Sequence, residues 1–100
     1  TLQPPLPPRT IADGLLTSLS ERTYSIITKN VDDILTVSEE AIVEAMQLAW
    51  ERMKIIIEPS SAVPLAAVLG NQSLFTGKTV AIIISGGNVD LTKLPFVRHA

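Results

Sequence analysis

One hundred residues, 46% of them apolar, suffice for one small folded domain and exclude a disordered chain. Eight basic residues spread along a chain of net charge −2 form no basic stripe, and no aromatic platform accompanies them, which argues against nucleic acid. Absence of cysteine excludes disulfides, thiolate zinc sites and cysteine nucleophiles; with no bilayer-length apolar run and no signal-peptide pattern, a soluble, cytoplasmic chain is expected.

Residues 1–9 (Thr-Leu-Gln-Pro-Pro-Leu-Pro-Pro-Arg) favour an extended, polyproline-like connector. Pro4, Pro7 and Arg9 fit an SH3-ligand spacing, but such short proline patterns recur by chance, and a plain connector is the better reading. A chain that starts inside a connector suggests that something upstream has been removed. Thr10 to Leu15 alternates apolar and polar residues and reads as a short strand or a loop. Tyr24 to Val31 reads as a helical turn, and Asp32 to Val37 as a strand, polar at its start and apolar through its body.

Ser38 suits an N-cap, and Glu39 and Glu40 follow where carboxylates favour the positive end of a helix dipole. Ile42, Ala45, Met46, Ala49, Trp50 and Met53 then recur at three- and four-residue intervals. They predict one apolar stripe on a helix of about sixteen residues, a core face rather than a cofactor box, ending near the cations Arg52 and Lys54. After Ile55-Ile56-Ile57, Pro59 suits the first position of a second helix, with Ser60 or Ser61 as its cap. Ala62 to Leu69 is small and apolar, so this helix is expected to be buried on most sides, with Pro64 tolerated near its first turn. Gly70-Asn71 stops it.

Gly77-Lys78 turns into Thr79-Val80-Ala81-Ile82-Ile83-Ile84, a run suited to a strand buried on both faces. Strand, helix, helix, strand, with no tight hairpin, predicts an α/β fold: a βαβ-type crossover in a parallel sheet. Two strands cannot make a stable sheet covered on both faces, so the chain reads as part of a larger domain. Leu91 to Ala100, with the single histidine His99, reads as a tail.

Ser85-Gly86-Gly87-Asn88 leaves the carboxyl end of the last strand, where open α/β sheets place ligands. By itself a glycine loop is weak evidence, and an ordinary strand exit is the better reading. Glu58, between three isoleucines and a proline-started helix, is either solvated or held by a partner; from context alone, solvated is favoured. Asp32-Asp33 and Glu39-Glu40 are adjacent and point apart, so neither makes an acid/base pair. No cluster has metal-ligand spacing, no phosphate loop is present, and no serine has an evident base.

Thr10-Ile11-Ala12-Asp13-Gly14, Val31-Asp32-Asp33-Ile34, Val37-Ser38-Glu39-Glu40, Trp50-Glu51-Arg52-Met53-Lys54, Ile57-Glu58-Pro59-Ser60 and Ser85-Gly86-Gly87-Asn88-Val89-Asp90-Leu91 are specific in combination. In this order and spacing, over residues 7–92, they resemble the C-terminal third of the serine racemase and serine/threonine dehydratase family. These are pyridoxal-phosphate enzymes of fold type II, the tryptophan-synthase β-subunit fold. The resemblance implies that residues 10–94 form the C-terminal part of the large cofactor domain, flanked by the 1–9 connector and a 95–100 tail. It implies pyridoxal 5'-phosphate as cofactor, with Mg2+ and ATP in serine racemases, serine or threonine as substrate, and a homodimer when complete.

By the same resemblance Ser85 looks like the residue that hydrogen-bonds the pyridine nitrogen, and Gly86 like the neighbour that lets backbone approach the ring. A neutral hydroxyl there, unlike an aspartate, would not keep the nitrogen protonated, which suits elimination and racemisation. Glu58 resembles the glutamate beside the cofactor, reversing the solvated reading, while Asp13 and Gly14 resemble a segment bordering the substrate pocket. Lys54 and Asn88 look like positions that help bind ATP at the dimer interface. Ser61 departs from the family, which often has glycine after Glu-Pro-Ser, and little harm is expected from so small a residue. The Schiff-base lysine, phosphate loop, second acid/base serine and metal carboxylates have no match: Lys29, Lys54, Lys78 and Lys93 occupy no such motif. The chain therefore reads as a fragment, inactive alone: either part of a racemase or ammonia-lyase, or a truncated, non-catalytic product that persists only by packing against a complementary chain or itself.

Overall fold

The computed structural model describes residues 10–15 and 18–97. The 1–9 connector, His99 and the end of the tail lie outside them. Four α-helices carry the described chain: α1 (Glu21–Asn30), α2 (Glu39–Leu48), α3 (Pro59–Gly70) and α4 (Gln72–Phe75). A 3-10 turn, Asp13–Leu15, precedes α1, and a π turn, Ala49–Met53, continues α2.

The segment read as one helical turn from Tyr24 is a ten-residue helix that begins at Glu21. Ser20 starts it: its Oγ accepts the Thr23 amide at 3.2 Å while Thr23 Oγ1 accepts the Ser20 amide at 2.9 Å. Two donors that a helix start would leave unpaired are thereby satisfied reciprocally. No residue of α1 is buried.

Helix α2 begins as its sequence requires, with Ser38 Oγ accepting the Ala41 amide at 3.1 Å. Ile42, Ala45, Met46 and Ala49 form its buried stripe, and Ala12, Ile57, Ala62 and Ala66 complete the core. Alanines at Ala45, Ala49, Ala62 and Ala66 give α2 and α3 small contact surfaces, which favours close approach of two helices. Met53 departs from the expected stripe and is 51% exposed. The π turn is wider than an α turn and rotates the residues after Ala49 off the stripe. Lys54 closes it in the left-handed region (φ 59°), where the Ile55 amide reaches the Ala49 carbonyl at 3.3 Å. Trp50, half-buried, donates its indole N–H to the Ile57 carbonyl at 2.9 Å and meets Phe96 edge-on at 5.5 Å between ring centres. Part of the stretch read as a tail is thus packed on α2's end.

Helix α3 starts at Pro59 as expected, but neither Ser60 nor Ser61 caps it; the N-cap is Glu58, with no side-chain cap bond. Pro64 falls beyond the first turn, where its missing N–H leaves the Ser60 carbonyl without a partner in the helix. Ala62 and Ala66 are buried, while Val63, Leu65 and Val68 are half-buried and Leu69 exposed, so burial is one-sided rather than on most sides. Asn71 and α4 follow, and Gly77 turns the chain at φ 74°.

Among the described residues no strand pairing forms. The segments 32–37 and 79–84, expected as strands of a parallel sheet, carry no regular structure and no ladder, and Ile83 is 83% exposed rather than buried on both faces. A strand exists only by hydrogen-bonding to a neighbouring strand, and these segments have no such neighbour within the described chain. What forms instead is a junction of carboxyl ends. The Ile55–Ile57 run and the Val80–Ile84 run converge just beyond their last isoleucines, where the Glu58 amide donates to the Gly86 carbonyl at 3.1 Å.

Candidate functional site

The first turn of α3 gathers three distant parts of the chain. Ser60, buried, accepts the Gly14 amide on its Oγ at 2.9 Å. A Cβ on Gly14 would stand 2.9 Å from that same Oγ, so only glycine lets the 3-10 turn dock so closely. One residue on, Ser61, 1% exposed, binds the Ser85–Gly86 peptide region. Its Oγ donates to the Gly86 carbonyl at 2.6 Å, accepts the Gly86 amide at 2.8 Å and lies 3.0 Å from Ser85 Oγ.

Glu58 is half-buried beside the same turn. A Cβ on Gly86 would fall 2.6 Å from Glu58 Oε1, and one on Gly87 would run into the Ile56 carbonyl. Gly87 therefore serves close passage of one backbone over another, whereas the neighbour of Gly86 is the end of the Glu58 side chain, which can swing aside. The loop is more than a simple strand exit.

Asp13–Gly14, Glu58 and Ser85–Gly86 are thus brought together around one helix start. Asp13 and Asn88 also line one cavity of about 140 Å3, alongside Pro59, Asp90 and Lys93. The Asp90 carboxylate accepts Thr92 Oγ1 at 2.6 Å and the Thr92 amide at 2.9 Å, which holds its pKa below the usual value. Lys54 is elsewhere, exposed at the end of the π turn, and does not line that cavity. The residues that sequence reasoning missed are Ser60 and Ser61, taken for caps. The available signal was Ser61 itself, a hydroxyl where the resemblance puts glycine.

Comparison with known proteins gives the family. Residues 2–86 match the family model described as pyridoxal-phosphate dependent enzyme. The chain is 51% identical over 89 residues to a beta-hydroxyaspartate dehydratase of Paracoccus denitrificans, a match covering 89% of this chain and 28% of that protein. It is 50% identical over 97 residues to the serine racemase of Rattus norvegicus, covering 94% of this chain and 29% of that protein. Among solved structures, the serine racemase of Dictyostelium discoideum superimposes with a TM-score of 0.76 at 56% identity, over 84% of this chain and 28% of that one. The chain belongs to the pyridoxal-phosphate dependent enzyme family, in the branch of racemases and dehydratases. It spans less than a third of the length of these relatives. The solved neighbours are consistent with an α/β fold, although no strand forms among the described residues.

The groups gathered here are hydroxyls, backbone amides and one carboxylate. Ser85 is exposed, and its hydroxyl, uncharged, can both donate and accept a hydrogen bond. Lys29, Lys54, Lys78 and Lys93 are all exposed, and none lies in the hydrogen-bonded cluster around α3's first turn. Among the described residues no group of His, Asp and Glu is arranged to hold a metal ion, and no helix is long and apolar enough to cross a membrane.

Proposed function

We propose that this chain is the C-terminal part of the large domain of a pyridoxal-phosphate dependent amino-acid racemase or ammonia-lyase, and that it supplies the pyridine-ring side of the cofactor pocket. The observation that carries the reading is the convergence on one helix start of Asp13–Gly14, Glu58 and Ser85–Gly86, segments that the resemblance alone had selected. Bound pyridoxal phosphate would act as an electron sink that makes the α-proton of an amino acid removable. Ser85 would offer its hydroxyl to the ring nitrogen. Gly86, without a Cβ, would keep the backbone low beside Glu58. Asp13 and Gly14 would border a small substrate such as serine or threonine.

The acid and base would come from the complementary N-terminal part, in a protein that is a homodimer when complete. Residues 10–94 are the cofactor-domain portion in this reading. The parallel sheet expected from the sequence would form when 79–84 finds neighbouring strands there. Relatives named serine racemase and beta-hydroxyaspartate dehydratase both support the class.

Ser85→Ala in the complete enzyme tests this. We expect a large loss of racemase and lyase turnover, an altered cofactor absorption spectrum and an unchanged thermal midpoint. Unchanged turnover together with an unchanged spectrum would overturn the placement of Ser85.

A further inference from the structure

Every backbone amide of the Asp13–Leu15 turn has a partner, but not of the same kind. The Asp13 amide donates to the Ile11 carbonyl and the Leu15 amide to the Ala12 carbonyl, both at 2.9 Å and both local. The Gly14 amide between them leaves the turn and reaches Ser60 Oγ, 46 residues along the chain, at 2.9 Å. That bond has one possible direction, because a backbone amide only donates. Upstream, Glu39 Oε2 holds the Ile11 amide and Ala12 is buried in the core. Past Ala12, Ser60 is the long-range hydrogen-bond partner that ties the turn down among the described residues. Gly14 has no positive φ, so glycine is needed there for space: a Cβ would lie 2.9 Å from Ser60 Oγ and 3.3 Å from Ser60 Cβ. Two residues before Ser60, the Glu58 amide carries the Gly86 carbonyl at 3.1 Å. One helix start therefore spaces the Asp13–Leu15 turn from the Ser85–Gly86 loop.

We propose that Ser60 is a positioning residue for the amino-acid substrate: by holding the Gly14 amide, its hydroxyl sets how far the Asp13–Leu15 turn stands from the cofactor side of the pocket. The inference rests on the reading above that Asp13 and Gly14 border the substrate. Without the hydroxyl, the turn keeps its attachments at Ile11 and Ala12 but loses the one at Gly14. It then pivots on its upstream end and carries Asp13 and Gly14 off their places. The Glu58–Gly86 bond does not pass through Ser60 Oγ, so the loop on the cofactor side stays where it is. A wall that is loosened in this way holds substrate and transition state less well by the same amount. That raises KM and leaves kcat nearly unchanged.

The test is steady-state kinetics of the complete enzyme on L-serine, with cofactor content measured alongside, in wild type, Ser60→Ala, Ser60→Thr, Gly14→Ala and the Ser60→Ala/Gly14→Ala double variant. We expect Ser60→Ala to raise KM about three- to tenfold, the scale of one ordinary hydrogen bond, with kcat and cofactor content close to wild type. Ser60→Thr keeps the accepting oxygen and should keep the wild-type KM. Gly14→Ala should raise KM further, since its methyl meets Ser60 Oγ. The double variant should fall well below the product of the two single effects, because the oxygen that the methyl strikes is gone. Hydrogen exchange gives a second readout: Ser60→Ala should speed exchange in the peptide covering 10–15 and leave the buried α2 amides unchanged. A KM that moves with Gly14→Ala but not with Ser60→Ala overturns the role of Ser60 and leaves the turn at the substrate. A KM that moves with neither overturns the placement of Asp13 and Gly14 as well. If Ser60→Ala and Ser60→Thr both fail to load cofactor, Ser60 is needed for packing rather than for its hydroxyl, and the proposal fails.

Discussion

The helix pair α2–α3 and the irregular segments 32–37 and 79–84 are about equally apolar, yet they end in opposite conditions. In the pair, Met46 is 0% exposed and four alanines pack the seam. In the segments, Ile34 and Ile83 stand out from the described surface although their residue types are those most often buried. The difference is one of geometry rather than hydrophobicity. A helix satisfies its own backbone and needs only one neighbour for its stripe. An extended run needs partners along both backbone edges and cover on both faces. The local chain supplies the first kind of partner and not the second.

Truncation at the centre of the packed pair should have the largest effect. Met46→Ala removes the largest side chain in the seam, and we expect a loss of about 2–5 kcal/mol in denaturant unfolding of the complete enzyme. Ile83→Ala sharpens the contrast. If the rest of the enzyme covers this run, as the proposed sheet requires, the change costs about 2 kcal/mol or more; if Ile83 stays in solvent, it costs under about 0.5 kcal/mol. We expect the larger loss. A value near zero would mean that 79–84 is a surface strap and not a strand of the assembled domain.

The same contrast explains what was legible in the sequence. The α2 stripe could be read because Ile42, Ala45, Met46 and Ala49 recur at helical spacing and are all buried, although Val89, Leu94 and Phe96 from the far end of the chain also pack on this core. Helix α1 was read short because its box closes with Thr23 instead of the usual Glu or Gln, a weaker signal than the one expected at that spacing. The Met53 departure was hidden because nothing in Trp50-Glu51-Arg52-Met53 announces a π turn. At the site, the resemblance selected Gly14, Glu58, Ser85 and Gly86, but not what joins them. Ser60 and Ser61 look like caps after a proline, and only the fold shows their hydroxyls turned outward onto distant backbone.

The smallest expected effect concerns how the site's first segment is fastened to the packed pair. Glu39 Oε2 accepts the Ile11 amide at 2.8 Å, which joins the start of α2 to the chain just before Asp13–Gly14. That bond, with a further one from Thr10, holds the Glu39 carboxyl below its ordinary pKa of 4.5. The folded state therefore favours the charged form, so the stabilisation is present above 4.5 and is lost as pH falls through the lower folded value. Glu39→Gln should destabilise the enzyme slightly near neutral pH, and that deficit should close well below 4.5, where wild type is protonated too. Urea midpoints of both proteins at the two conditions check this. Glu39 is fully exposed, so salt should shrink the neutral-pH difference. A deficit that persists unchanged into acid would mean that the side chain fastens the segment by shape rather than by charge, and that the site's first wall is held by α3 through Ser60 and Gly14.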